Sequence, residues 1–461
     1  MKFGGTSVQD AGALRAVIKM VTAKADQRPL LVISAASGVT NQLLSIARHA
    51  VSGNKQSAAD ELNQLKNRHL SIAEDLITDH DELDAVDHHI NDCISRLVNL
   101  VEGVSLLGEL TNRSLDVFAA QGELMSSFIL ASAMRENGLS TKWFDVRDVM
   151  LTDQNYTAAV PHIPSLQKLA LQRLAPLVRT HVVVTQGFIG RTHDGVTTTL
   201  GRGGSDYTAA LLGSTLSAAA IEIWTDVDGV LTSDPRLVEG ASRVRQMSFR
   251  EAAELAYFGA KVLHPATIYP AVEKNIPVYV YNTHRPESPG TLIAQHVDTP
   301  GDHGVIKSIA YKKNITILNI ISSRMLLAHG FLASIFDVFK RHHTSVDVVS
   351  TTEVSVSLTV DNVEHLEQIV ADLSAFSQVQ IEKDRAIVCL VGEQMRYTPG
   401  IAARIFQAIR DVNINMISQG ASEINLTFVI AQSDVEFVVR SLHHEFFPDQ
   451  SQVKLSDKEN A

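Results

Sequence analysis

Four apolar, β-branched runs, Leu30 to Ser34, Val182 to Gln186, Ile221 to Thr225 and Ile276 to Tyr281, predict buried strands. Their apolar character is continuous rather than alternating, as in parallel strands covered on both faces. Between them, Leu, Ile and Val recur at three-to-four spacing, notably from Ala58 to Ile77 and from Asp84 to Arg135, which predicts long helices. Alternating strands and helices imply a layered α/β domain over residues 1–290. Thr283 to Gly304, with three prolines and three glycines, reads as a linker. Beyond it the pattern repeats. Gly330-Phe331-Leu332-Ala333-Ser334-Ile335-Phe336 aligns with Gly400-Ile401-Ala402-Ala403-Arg404-Ile405-Phe406 at an offset of 70, which also pairs Ile317 with Ile387, Lys340 with Arg410, Glu353 with Glu423 and Val356 with Leu426. Each copy predicts a strand, a glycine-started helix and two short strands, the β-α-β-β opening of a ferredoxin-like module. The polar stretch from Pro448 to Ala461 is expected to be disordered.

Two glycine turns carry the candidate chemistry. Thr198-Thr199-Leu200-Gly201-Arg202-Gly203-Gly204-Ser205-Asp206 runs straight into an Ala/Leu-rich helix. Glycines let backbone N–H groups approach a ligand, Ser205 or Asp206 is suited to cap the helix, and Arg202 offers a planar fork to a carboxylate or phosphate. Lys2-Phe3-Gly4-Gly5-Thr6-Ser7 again sets a cation, a glycine pair and two hydroxyls before a helix. It is not a Walker A loop, because its lysine precedes the glycines.

With these turns, Gly122-Glu123-Leu124-Met125-Ser126, Trp224-Thr225-Asp226-Val227-Asp228-Gly229, Thr232-Ser233-Asp234-Pro235-Arg236 and Phe258-Gly259-Ala260-Lys261-Val262-Leu263-His264-Pro265, the chain resembles the aspartate kinases, in particular the monofunctional lysine-inhibited type. The resemblance implies an amino-acid-kinase fold (1–290), a linker (291–307) and two ACT-like modules (308–384 and 385–447) before the tail at 448–461. It implies transfer of phosphate from ATP, with Mg²⁺, to the side-chain carboxylate of L-aspartate, restrained by L-lysine. Lys2 would bridge the phosphates beside Gly4, Gly5, Thr6 and Ser7, and Asp206 would organise that lysine. Glu123 would take the substrate ammonium and Arg202 a carboxylate, with Thr40, Gly203, Gly204 and Ser205 adding hydrogen bonds. Thr225, Asp226, Leu231, Asp234, Arg236, Lys261 and Val262 fall to the nucleotide. The effector pocket maps to Met325, Gly330, Phe331, Leu332, Ser345, Val346, Asp347, Thr352 and Glu353, with Asp347 or Glu353 facing an ammonium. Two departures stand beside it: Ala328 where lysine-sensitive relatives tend to have serine, and His329 where they tend to have arginine. Relatives also carry a short apolar strand ahead of the lysine, which Met1 directly precedes here. Alternatives are another kinase of this fold or a non-catalytic amino-acid sensor; no second glycine fingerprint suggests a fused dehydrogenase.

Composition narrows partners. A net charge of −11 with a pI near 5.9 offers no basic stripe for nucleic acid or an anionic membrane. Cys93 and Cys389 lie far apart without metal-ligand spacing, which suits a reducing compartment. No uninterrupted apolar run reaches the ~18 residues a spanning helix needs and no leader is evident, so a cytoplasmic protein is expected, paired as a homodimer through its ACT-like modules. Asp226-Val227-Asp228-Gly229 lacks the glycine position and bidentate glutamate of a calcium loop.

Overall fold

The computed structural model describes residues 1–259, 265–297, 305–322 and 329–448, without the side chains of 265–268. Lys261, Val262, Met325, Ala328 and the tail from 449 therefore lie outside the described residues. Packing divides the chain into two units, Met1–Val230 with Val262–His296, and Leu231–Lys261 with Val297–Ala461.

The first unit contains β1 (Lys2–Phe3), β2 (Leu30–Ile33), β3 (Thr141–Phe144), β4 (Val182–Gln186), β5 (Ile189–Arg191), β6 (Thr197–Thr199), β7 (Ile221–Thr225), β9 (Val278–Asn282) and β10 (Thr291–Ala294), while β8 (Gln246–Ser248) falls in the other unit. Seven strands lie in the order β3-β4-β2-β1-β7-β9-β10, parallel except for β10. The predicted strands are all present. The two residues of β1 pair with both β2 and β7, so the lysine turn starts at the middle of the sheet. The stretch read as a linker departs from expectation, because Thr291–Ala294 pairs antiparallel with β9.

Helices α1 (Ala11–Thr22), α2 (Val39–Val51), α3 (Lys55–Leu76), α4 (His80–Leu107), α5 (Asn112–Glu136), α6 (Ile163–Leu169), α7 (Ala175–Val178), α8 (Gly204–Thr215) and α10 (Pro265–Lys274) complete this unit, with α9 (Phe249–Tyr257) in the other. The apolar pattern from Asp84 to Arg135 covers two helices rather than one. Gly108 at φ +65° ends α4 in a left-handed cap, and Thr111 accepts the Ser114 N–H at 3.2 Å to start α5. By length and hydropathy α5 resembles a membrane span, yet it is almost wholly buried between α2, α4 and the sheet. A helix apolar on every side is the core helix of a layered domain.

His69 sits inside this core, 1% exposed, with Nδ1 2.8 Å from the Leu65 carbonyl. Burial lowers its pKa from 6.5 to about 4. Between those values the unfolded chain binds the extra proton, so stability is full above pH 6.5 and is lost as pH falls toward 4. His69→Leu is expected to remove about 3 kcal/mol of the acid-induced loss, read as the difference in urea unfolding between pH 7 and pH 4.

The second unit is built on a six-stranded antiparallel sheet of β11 (Ile306–Ile321), β12 (Val349–Thr351), β13 (Ser355–Val360), β14 (Gln378–Gly392), β15 (Ile414–Gln419) and β16 (Asn425–Ala431), in the order β12-β13-β11-β14-β16-β15. Against it pack α11 (Phe331–Arg341), α12 (Leu366–Ser374), α13 (Ile401–Ala408) and α14 (Val435–Phe446). The repeat has a direct structural counterpart: Gly330 at φ +83° and Gly400 at +79° start α11 and α13. Two cores form. One gathers Leu318, Ile320, Ile335, Val356, Leu358 and Leu373; the other gathers Ile306, Ile309, Val388, Ile401, Phe428 and Val439. Residues 306–312 thus lie beside the second half of β14 as the closing strand of the second module, although they precede the first module in sequence. Residues 231–259, placed by sequence with the kinase domain, also pack here. Val238 joins the second core, Thr232 Oγ1 lies 2.9 Å from His443 Nε2, and the buried Lys307 and Glu251 pair at 2.8 Å.

Candidate active site

A cavity of about 420 Å³ opens in the first unit at the carboxyl ends of its parallel strands, where open α/β sheets bind ligands. Lys2, Gly5, Thr40, Glu123, Arg202, Gly203, Gly204, Ser205 and Asp206 all line it. Lys2 Nζ pairs with Asp206 Oδ1 at 2.7 Å.

Each wall has a local cause. α8 begins with Gly203 at φ +75° and no side-chain cap; α2 begins likewise with Gly38 at +83°, and the short turn Gly5–Val8 is also uncapped. Neither Ser205 nor Asp206 caps α8, contrary to expectation. Orphan N–H groups and the positive ends of two helices therefore face the cavity, an arrangement suited to anions. Close packing requires glycine at two further places. A Cβ on Gly5 would stand 2.9 Å from the Ala35 carbonyl oxygen, and one on Gly187 would stand 2.5 Å from Ser205 Cβ.

The Gly122-Glu123-Leu124-Met125-Ser126 motif also has a physical reading. A Cβ on Gly122 would come within 2.7 Å of Ala35 Cβ, so glycine lets α5 lie against the loop after β2. Leu124 and Met125 are buried in the core, and Ser126 Oγ donates to the Ser34 carbonyl at 2.8 Å. Glu123 is thereby carried into the cavity at 3% exposure, with Oε2 lacking a hydrogen-bond partner. Burial raises its pKa to about 8, opposed by the Ala35 N–H. A buried acid with an unused oxygen calls for a cationic partner. Arg202 makes no ion pair or hydrogen bond among the described residues, which leaves its fork open to an anion.

Other expected residues lie apart from this cavity. Ser7 is fully buried with its hydroxyl 2.6 Å from Thr283 Oγ1, so it ties down the turn instead of facing a phosphate. Gly4 donates its N–H to the Trp224 carbonyl at 3.2 Å, and Thr6 continues the turn. Thr225 is the last residue of β7 and Asp226 follows it, with Thr225 Oγ1 donating to Asp226 at 3.2 Å. Leu231, Asp234 and Arg236 belong to the second unit. Arg236 binds Asp234 through Nη2 at 2.6 Å and holds its pKa down at about 2.

Of the residues expected at the effector pocket, Phe331 stacks edge-on with Phe376, Leu332 is exposed, and Val346 packs on the core of Leu318 and Ile320. Ser345 and Glu353 are exposed, and Thr352 lies 2.8 Å from Ser355 Oγ. Asp347 differs from expectation: its carboxylate already accepts Lys312 Nζ at 3.2 Å and the Tyr257 hydroxyl at 2.8 Å.

Sequence reading missed Ser34 to Ser37, Asn41 and Phe188, which also line the cavity. The small run Ser34-Ala35-Ala36-Ser37-Gly38 between a strand and a helix was the available signal.

Residues 1–282 match the amino acid kinase family and residues 388–446 an ACT domain. The chain is 39% identical to the lysine-sensitive aspartokinase 3 of Escherichia coli, over 97% of this chain and 98% of that protein. The chain belongs to the aspartokinase family. It is similar to the E. coli aspartokinase III structure in complex with aspartate and ADP, with a TM-score of 0.86, 39% identity and coverage of 97% of this chain and 99% of that one. For the same enzyme in complex with lysine and aspartate the TM-score is 0.77 at 38% identity, covering 97% and 98%. The aspartokinase motifs therefore coincide with the cavity at Lys2, Glu123 and the 201–206 turn.

Proposed function

We propose that this aspartokinase transfers the γ-phosphoryl group of ATP to the side-chain carboxylate of L-aspartate and is inhibited by L-lysine. The carrying observation is a buried acid, Glu123, in a cavity that Lys2, Arg202, Asp206 and uncapped helix starts also line. Glu123 receives the substrate ammonium and Arg202 its α-carboxylate, which leaves the side-chain carboxylate directed at the phosphate. That carboxylate is already ionised at neutral pH, so no general base is required. One oxygen forms the new O–P bond as the bond to the ADP oxygen breaks, giving 4-phospho-L-aspartate. Lys2, held by Asp206, and the N–H groups of Gly5 and the α8 turn counter charge on the transferring oxygens. The remaining nucleotide contacts are assigned to Gly4, Thr6, Thr225 and Asp226. Magnesium enters as the ATP complex, coordinated by phosphate oxygens and water. Formation of aspartyl hydroxamate from ATP, aspartate and hydroxylamine tests this reading; inactivity of the wild-type protein with magnesium present would refute it.

For regulation, lysine is assigned to the surface around Gly330, Leu332, Ser345, Val346, Thr352 and Glu353, where its ammonium competes with Lys312 for Asp347. The bridge Lys312–Asp347–Tyr257 supports that reading. Lys312→Met is expected to lower the lysine concentration for half-inhibition about tenfold, and Asp347→Asn to raise it. Unchanged inhibition curves in both variants would place the effector elsewhere. The exposed Leu332 and Phe336 on α11 are apolar surface suited to pairing with a second copy.

A further inference from the structure

Asp116 is a buried carboxylate that the reaction does not consume. It lies on α5 seven residues before Glu123, two helical turns away on the same rod, and is 1% exposed. Its oxygens accept the Thr199 hydroxyl at 2.6 Å, the Thr199 N–H at 2.9 Å, and the Thr157 N–H at 3.0 and 3.1 Å. Thr199 ends β6, and only Leu200 and Gly201 separate it from Arg202. Thr157 is held at φ +71°, a left-handed conformation that costs a branched residue free energy. Its carbonyl oxygen would stand 3.1 Å from a Cβ on Gly201, itself at φ +75°. The Ala159 N–H donates to the Thr199 carbonyl at 2.9 Å and closes the arrangement.

One helix therefore bears Glu123 directly and grips the Arg202 turn through Asp116. We infer that Asp116 is a positioning residue that fixes the separation and angle between the ammonium-binding Glu123 and the carboxylate-binding Arg202, and thus the pose of the amino-acid substrate. This rests on the assignment of those two poles proposed above. Asparagine at this position keeps the size but presents an NH₂ where two N–H donors and a hydroxyl converge, so the turn loses at least one bond.

Asp116→Asn is expected to weaken aspartate binding about tenfold by calorimetry while the ADP dissociation constant stays within about twofold. In an Arg202→Ala background the same substitution should have little further effect, because its influence passes through that arginine. Thr199→Val, which deletes only the hydroxyl donor, should shift aspartate affinity in the same direction by less, and serves if Asp116→Asn does not fold. Equal weakening of aspartate and ADP, or full additivity with Arg202→Ala, would overturn the inference. If Arg202→Ala itself leaves aspartate binding unchanged, the assignment of the poles fails; if only the Asp116 and Thr199 variants are silent, the positioning role alone fails.

Discussion

Replacing Lys2 by methionine is expected to lower kcat about a thousandfold with little change in the KM for aspartate. Its ammonium stands at the middle strand of the sheet, in contact with Asp206 and beside the uncapped start of α8. In a transition state with charge spread over the transferring oxygens, that cation acts more strongly than in the ground state, so the loss falls on kcat. Methionine retains the length and apolar stem but none of the charge, and leaves Asp206 as a second negative group facing the phosphates. Steady-state hydroxamate kinetics with each substrate varied would check this. A KM effect alone would reduce Lys2 to a binding group.

Glu123→Gln is expected to raise the KM for aspartate about a hundredfold and to flatten its pH dependence. With its pKa raised to about 8 by burial, Glu123 is mostly protonated in the free protein at pH 7. A bound ammonium requires the ionised form, so aspartate binding should release a proton and tighten as pH rises, levelling off above pH 8. The same shift acts on folding with its own sign. The folded chain holds a proton that the unfolded chain gives up above about 4.5, so this group's contribution to stability falls as pH rises toward 8. Calorimetry of aspartate binding in buffers of different ionisation enthalpy measures the released proton. A pH-independent affinity in the wild-type protein would remove Glu123 from the ammonium site.

Much of the catalytic pocket was legible because its chemistry is local. Lys2-Phe3-Gly4-Gly5 and Gly201-Arg202-Gly203-Gly204-Ser205-Asp206 each join cation, glycine and helix start within six residues, and both reach the same cavity. Ser7 was misplaced because successive side chains of the three-residue-per-turn helix Gly5–Val8 point about 120° apart, and a hydroxyl partner 276 residues away is invisible in the pattern. The partners of Asp347 were invisible for the same reason, since Lys312 and Tyr257 arrive from distant segments.

The chain by itself determined four central strands of the first unit, the long helices over 58–77 and 84–135 and the duplication at an offset of 70, because periodicity, glycine caps and continuous apolar runs act over a few residues. Tertiary structure decided what depends on competition between distant surfaces. It set Ile306, Ile309 and Val238 into the second module's core and turned Thr291–Ala294 into a paired strand. It also aligned Glu123 and Asp116 along one buried helix facing the Arg202 turn. A strand or carboxylate takes the partner that buries its apolar face or satisfies its oxygens, and that partner is fixed only when the whole chain has packed.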